Sequence, residues 1–224
     1  MNKRDLIVFS LLACILLYII EQVLSFDYIS KTVTKVILFA VIPFIYLKFA
    51  KKSSIKEIVN FKKVDFSTFK LGLFFGIFSF AVILVSYLLL GKYIDFNGIM
   101  AELQNKSKIT PTNFLFVGLY ITFGNSFLEE FFFRGFIFLN LYNQGHKKLA
   151  YSYSSVLFGV YHIVIFKTWF NPLLIGLALL GLITIGVILN WLNSKTSNIV
   201  NSWLVHILAD SAIIIIGMKM FNIL

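Results

Sequence analysis

Apolar residues run along this chain in long blocks, and polar residues gather between the blocks instead of alternating with them. A helix needs about 20 mostly apolar residues to cross a bilayer. The blocks Leu6–Leu24, Val33–Phe49, Leu71–Leu90, Asn113–Leu141, Leu149–Phe166, Pro172–Leu192 and Ile199–Met220 predict spanning helices. The fourth block is too long for one straight, perpendicular crossing. It is expected to tilt, bend near Gly124 or run out into the interface, so the count is seven or eight. The first block starts basic, "MNKRDLIVFSLLACILLYII", as a signal peptide does. No small-x-small cleavage pattern follows it, only "EQVLSFDY", which predicts a retained first helix.

Composition sharpens this picture. The 224 residues are 59% hydrophobic and 13% charged, whereas soluble domains run at about 45–50% and about 25%. The expected fold class is all-α: a polytopic membrane bundle around an intramembrane polar cavity. Residues 1–224 read as one integral membrane domain, without internal repeat or linker. The lone Cys14 excludes a disulfide within one chain and a cysteine-based zinc site.

The net charge of +10 points to lipid headgroups and not to nucleic acid, because the lysines sit between apolar blocks and no nucleic-acid-binding motif accompanies them. The connection Ala50–Lys70 carries Lys51, Lys52, Lys56, Lys62, Lys63 and Lys70, which places it in the cytoplasm. Counting spans from there puts the N-terminal Lys3 and Arg4, His146–Lys148 and Lys195 inside as well. Asp27, Asp95–Glu102 and Lys167 fall outside, together with Lys31, Lys35, Lys92, Lys106 and Lys108. Part of "IKEIVNFKKV" suits a basic amphipathic segment lying on the membrane.

A few ionisable groups break the apolar blocks: Glu129, Glu130, Arg134, His162, His206 and Asp210. A charge at mid-membrane costs about 2.5–3.5 kcal/mol on insertion scales, so such groups face the bundle interior and find partners. Glu130 and Arg134 are four apart and pair on one helical face. Glu129 points about 100° away, on the face of Asn125 and Phe133, with no cation nearby in sequence. His206 and Asp210 are again four apart, so Asp210 can orient or charge His206. At about 1.5 Å of rise per residue, these groups reach similar depths on three helices.

One acid and two histidines in a membrane cavity suit hydrolysis. Glu129 with His162 can hold and deprotonate a water; His206 with Asp210 can steady an oxyanion. No cofactor is called for with certainty. Zinc is the alternative, on His162, His206 and a carboxylate, although no H-E-x-x-H pattern is present.

"EEFFFR" (Glu129–Arg134), "FGVYH" (Phe158–His162) and "HILAD" (His206–Asp210) together resemble the E-E-x-x-x-R, F-x-x-x-H and H-x-x-x-N/D motifs of the CAAX protease and bacteriocin-processing family of intramembrane proteases, CPBP or Abi. The resemblance covers about residues 113–211. It implies an all-helical bundle around a cavity open toward cytosol and lipid, and glutamate-dependent peptide hydrolysis. Glu129 would activate water and His162 hold it, His206 and residue 210 would form the oxyanion site, and Glu130 and Arg134 would support the site. Prenyl-protein endopeptidases carry asparagine where this chain has Asp210. A protonated Asp210 could serve there, or an ionised one could hold His206 as a cation.

The heavy use of Ile, Leu, Phe and Lys fits an AT-rich bacterial genome, and bacteria generally lack prenylated CAAX proteins. The expected substrate is therefore a membrane-associated peptide or protein, as in peptide-signal or bacteriocin processing or self-immunity. The rival readings are a catalytically silent membrane scaffold and a proton-coupled transporter.

Overall fold

In the computed structural model, which describes residues 2–24, 27–50 and 66–224, each predicted block is helical and no strand occurs among the described residues. The long helices are α1 (Lys3–Val23), α2 (Tyr28–Phe49) and α3 (Thr68–Tyr93). A short α4 (Phe96–Asn105) follows. Then come α5 (residues 114–143), α6 (Lys147–Phe166), α7 (Pro172–Thr196) and α8 (Val200–Met220). Helices α1, α2, α3, α7 and α8 are long and apolar enough to cross a membrane by length and composition. Helices α5 and α6 are diluted by their own polar residues, Glu129, Glu130 and Arg134 on one and three serines, three tyrosines and His162 on the other. The predicted cytoplasmic Lys51, Lys52, Lys56, Lys62 and Lys63, and the surface segment "IKEIVNFKKV", lie outside the described residues.

Local chemistry sets the helix ends. Asp27 starts α2 by accepting from the backbone N–H groups of Ile29 and Ser30 at 2.9 and 3.0 Å, a typical N-cap. Asn171 does the same for α7 ahead of Pro172, which fits the first helical position because it lacks an N–H. Gly145, at φ 87°, closes α5 in a left-handed turn, and the His146 N–H returns to the Leu141 carbonyl at 3.0 Å.

Helix α5 is central. From Leu128 to Leu141 every residue is buried except Gly135 and Leu139, which are partly so. A helix covered on all sides is a core helix. Its phenylalanines dock the neighbours: Phe132 stacks on Phe39 of α2 at 3.9 Å, and Phe133 meets Phe158 of α6 edge-on at 5.4 Å. Helix α1 adds Leu6, Ala13 and Leu17 to the same core.

Helix α5 also resolves the excess length of its block. It runs unbroken through two widened, π-helical stretches, Tyr120–Asn125 and Glu130–Phe138. The first contains Gly124. Such widenings redirect side chains and carbonyls and often mark functional sites. In the second, the Phe133 carbonyl accepts from Ser154 of α6 at 2.9 Å.

The outer helices approach closely through glycine. A Cβ on Gly76 of α3 would come within 2.4 Å of Leu208 on α8, and one on Gly186 of α7 within 3.1 Å of the Ser155 backbone on α6. Small residues at helix contacts are how membrane bundles pack without a hydrophobic driving force. The outward faces stay apolar, with Phe74, Ile77 and Leu88 of α3 exposed, as lipid contact requires. The protein is a multi-pass membrane protein.

Helix α4 lies outside the spans. Its Glu102 accepts from Lys106 at 2.8 Å, from Thr168 at 2.9 Å and from the Trp169 indole at 3.2 Å, tying α4 to the connection between α6 and α7. Partial burial pushes this carboxyl up, but those hydrogen bonds and the Lys106 charge outweigh it and hold it below its ordinary value.

Candidate active site

The six ionisable groups predicted inside the membrane are all buried, and they converge. Glu129 comes from α5, where the backbone is about to widen. Its Oε2 stands 3.2 Å from His162 Nε2 and 3.6 Å from His206 Nε2. Three helices thus bring one carboxylate oxygen and two imidazole nitrogens to a common point.

The far side of each ring assigns the protons. His162 Nδ1 lies 2.8 Å from the Phe158 carbonyl oxygen. A carbonyl only accepts, so Nδ1 carries the hydrogen and a neutral His162 presents a bare Nε2. His206 Nδ1 lies 2.9 Å from Glu130 Oε1. It donates to that carboxylate, and Nε2 is left to face the site. Glu129 Oε2 and His162 Nε2 are then two acceptors in mutual reach, an arrangement suited to a group with protons to share.

The predicted Glu130–Arg134 pair is present, with Nη1 3.1 Å from Oε1 and both side chains fully buried. The guanidinium also lies over the Phe158 ring, 3.9 Å from its centroid. Stacking suits the flat, weakly hydrated guanidinium. Phe158 therefore supports the site twice, by its carbonyl on His162 and by its ring under Arg134.

Two expectations need correction. The first concerns Lys35, assigned above to an outer connection. It lies in α2 on the inner face shared with Leu38 and Phe39 and is 9% exposed. Its Nζ is 2.5 Å from Glu129 Oε1 and donates to Asn125 Oδ1 as well. Glu129, without a cation nearby in sequence, has one from another helix. The second concerns His206, whose strong partner is Glu130. Asp210, expected to orient or charge it, is 3.8 Å away at the opposite ring nitrogen, Nε2, a distance that suits the charging role and not the orienting one. Asp210 Oδ2 is buried without a hydrogen-bond partner among the described residues. Asp210 therefore stands at the ring nitrogen that faces Glu129, while Glu130 backs the other.

Further contacts hold α8 against α5. The Trp203 indole donates to Ser126 Oγ at 3.0 Å, and the ring meets Phe127 edge-on. Beside the site, Ala40, Val41 and Phe44 of α2 and Phe127 and Phe131 of α5 line an apolar cleft of about 250 Å³. The same two helices carry Lys35 and Glu129.

Ligand atoms of Glu129, His162 and His206 lie within 4.8 Å of one another. Bonds of about 2.0–2.1 Å to a tetrahedral zinc set neighbouring ligand atoms about 3.3 Å apart, so the spacing suits a metal ion.

A protein-family model described as type II CAAX prenyl endopeptidase Rce1-like matches residues 111–212. No curated protein and no solved structure matches the chain. The matched stretch contains Glu129, Glu130, Arg134, His162, His206 and Asp210, and its similarity to an Rce1-like prenyl endopeptidase is consistent with the CAAX protease family.

Proposed function

We propose that this protein is a glutamate-dependent intramembrane endopeptidase acting on a membrane-associated peptide or protein. One observation carries the reading: Glu129 Oε2, buried in the bundle, faces the Nε2 atoms of His162 and His206 at 3.2 and 3.6 Å. Glu129 accepts a proton from a water that His162 Nε2 also holds, and the water oxygen attacks the scissile carbonyl carbon. The negative charge that develops on the carbonyl oxygen is met by His206 as an imidazolium, donating through Nε2 while Nδ1 donates to Glu130, and by Asp210 in its protonated form. When the tetrahedral intermediate collapses, the C–N bond breaks and Glu129 passes the proton to the departing amine.

Glu130 receives the His206 Nδ1–H and holds that ring toward the site, while Arg134 balances the buried carboxylate. The apolar cleft between α2 and α5 seats the hydrophobic part of the substrate at the lipid boundary. Peptide-signal processing, bacteriocin maturation and self-immunity are the roles that suit such an activity. The protein belongs in the cell membrane of a bacterium, with its N-terminus in the cytoplasm.

Glu129, His162 and His206 could also hold zinc, which would supply an acidified water. The Lys35 ammonium on the same carboxylate opposes a second cation there, so the metal-free reaction is the preferred form.

The test compares membrane-associated and secreted peptides, by mass spectrometry, between cells carrying wild-type protein and cells carrying Glu129→Gln at matched membrane levels. Peptides released only with wild type support the protease and identify its substrate. Identical profiles with both proteins folded would instead leave a membrane scaffold.

A further inference from the structure

We propose that Lys35 is a positioning residue of the active site: with Asn125 it clamps one oxygen of Glu129, so that the other is presented to the two histidines. This rests on the protease reading above. Lysine is among the most costly side chains to bury in a membrane, yet Lys35 turns inward on α2, on the face of Leu38 and Phe39.

Its surroundings define where the ammonium sits. Nζ lies 5.1 Å from the Tyr161 ring centroid and 5.6 Å from that of Phe39, within the reach of cation–π attraction. The rest of its contacts form a triangle. Nζ is 2.5 Å from Glu129 Oε1 and donates to Asn125 Oδ1. The Asn125 Nδ2 donates to the same Glu129 Oε1 at 3.0 Å. The amide has one acceptor and one donor end, and each is used on the partner that needs it.

The consequence is a division of labour between the two carboxylate oxygens. Oε1 receives both donors of the clamp. Oε2 has no hydrogen-bond partner among the described residues and faces the imidazoles. With Oε1 held from two sides, rotation of the carboxylate is blocked and the syn and anti positions of Oε2 keep a constant relation to His162 and His206. An orienting group of this kind is typically worth about 10–100-fold in activity. Simple charge neutralisation would require neither the Asn125 bridge nor the aromatic seat.

The experiment uses the full chain in lipid nanodiscs and the peptide identified in the cellular comparison, made as a quenched fluorogenic substrate. Wild type, Glu129→Gln, Lys35→Met and Lys35→Arg are measured together. Lys35→Met should lower kcat about 10–100-fold with KM within about twofold, and Lys35→Arg, which keeps the charge and donors, should recover part of it. An unchanged kcat in Lys35→Met, or a loss carried by KM, overturns the positioning role while leaving the protease intact. Equal rates for wild type and Glu129→Gln overturn the protease reading itself, and the positioning role with it. Should Lys35→Met fail to fold, the double variant with Glu129→Gln decides. Recovery of folded protein there supports the clamp on Glu129, and failure in both backgrounds overturns it, since Lys35 would then serve the fold regardless of Glu129.

Discussion

His206 Nδ1 lies 2.9 Å from Glu130 Oε1, and the same oxygen is 3.1 Å from Arg134 Nη1. Glu130 is thus the joint between a buried arginine and the imidazole that faces Glu129. Its two neighbours make opposite demands on a substitution, which separates its electrostatic and steric roles.

Glu130→Gln keeps an acceptor oxygen for His206 Nδ1 but removes the charge. Activity should fall about 10–100-fold, mainly in kcat, with the protein still folded. Steady-state cleavage at matched protein levels checks this. A wild-type kcat would show that His206 does not depend on that carboxylate.

Arg134→Ala should damage the fold itself. It strands the fully buried Glu130 and empties the space over Phe158. Breaking a buried pair from one side costs about 3–5 kcal/mol. Thermal unfolding in detergent should show a large loss, partly recovered by adding Glu130→Gln. Lack of any recovery would assign the loss to packing alone.

His162→Ala and His206→Ala should each reduce cleavage by about a hundred- to ten-thousand-fold, the usual span for a group that handles the reacting proton. Neither ring carries the core, so both variants should remain folded. Gel filtration and cleavage assays on the same samples separate the two effects.

Treatment with phenanthroline followed by metal-free buffer should leave cleavage unchanged, because Lys35 already occupies the charge balance at Glu129. A loss reversed by added zinc would reassign Glu129, His162 and His206 as ligands.

Glu102 predicts a pH effect far from the active site. Its hydrogen bonds from Lys106, Thr168 and Trp169 hold its folded-state carboxyl below the ordinary value. The stabilisation is therefore complete above the ordinary carboxylate range and is lost as pH falls through the folded-state value. Thermal unfolding of wild type and Glu102→Ala should differ at neutral pH and converge in acid. A difference that persists in acid would contradict the assignment.

The amino-acid sequence alone was enough for the features that depend on neighbours along one helix. Block length and hydropathy disclose the spans. A four-residue spacing discloses the Glu130–Arg134 pair, and charges stranded in apolar runs disclose which helices build the site. Contacts between distant segments were decided by the fold. Lys35 and Glu129 are 94 residues apart, and Lys35 sits near the edge of an apolar block, where hydropathy reads any lysine as interfacial. A long flexible stem lets the same residue reach outward or inward, and only the docking of α2 on the phenylalanines of α5 turned it inward. His206 likewise had a near neighbour in Asp210 and found its stronger partner on another helix. The widened backbone of α5, which redirects the residues following Glu129, has no local signature, because it arises where one helix must satisfy several packed neighbours at once.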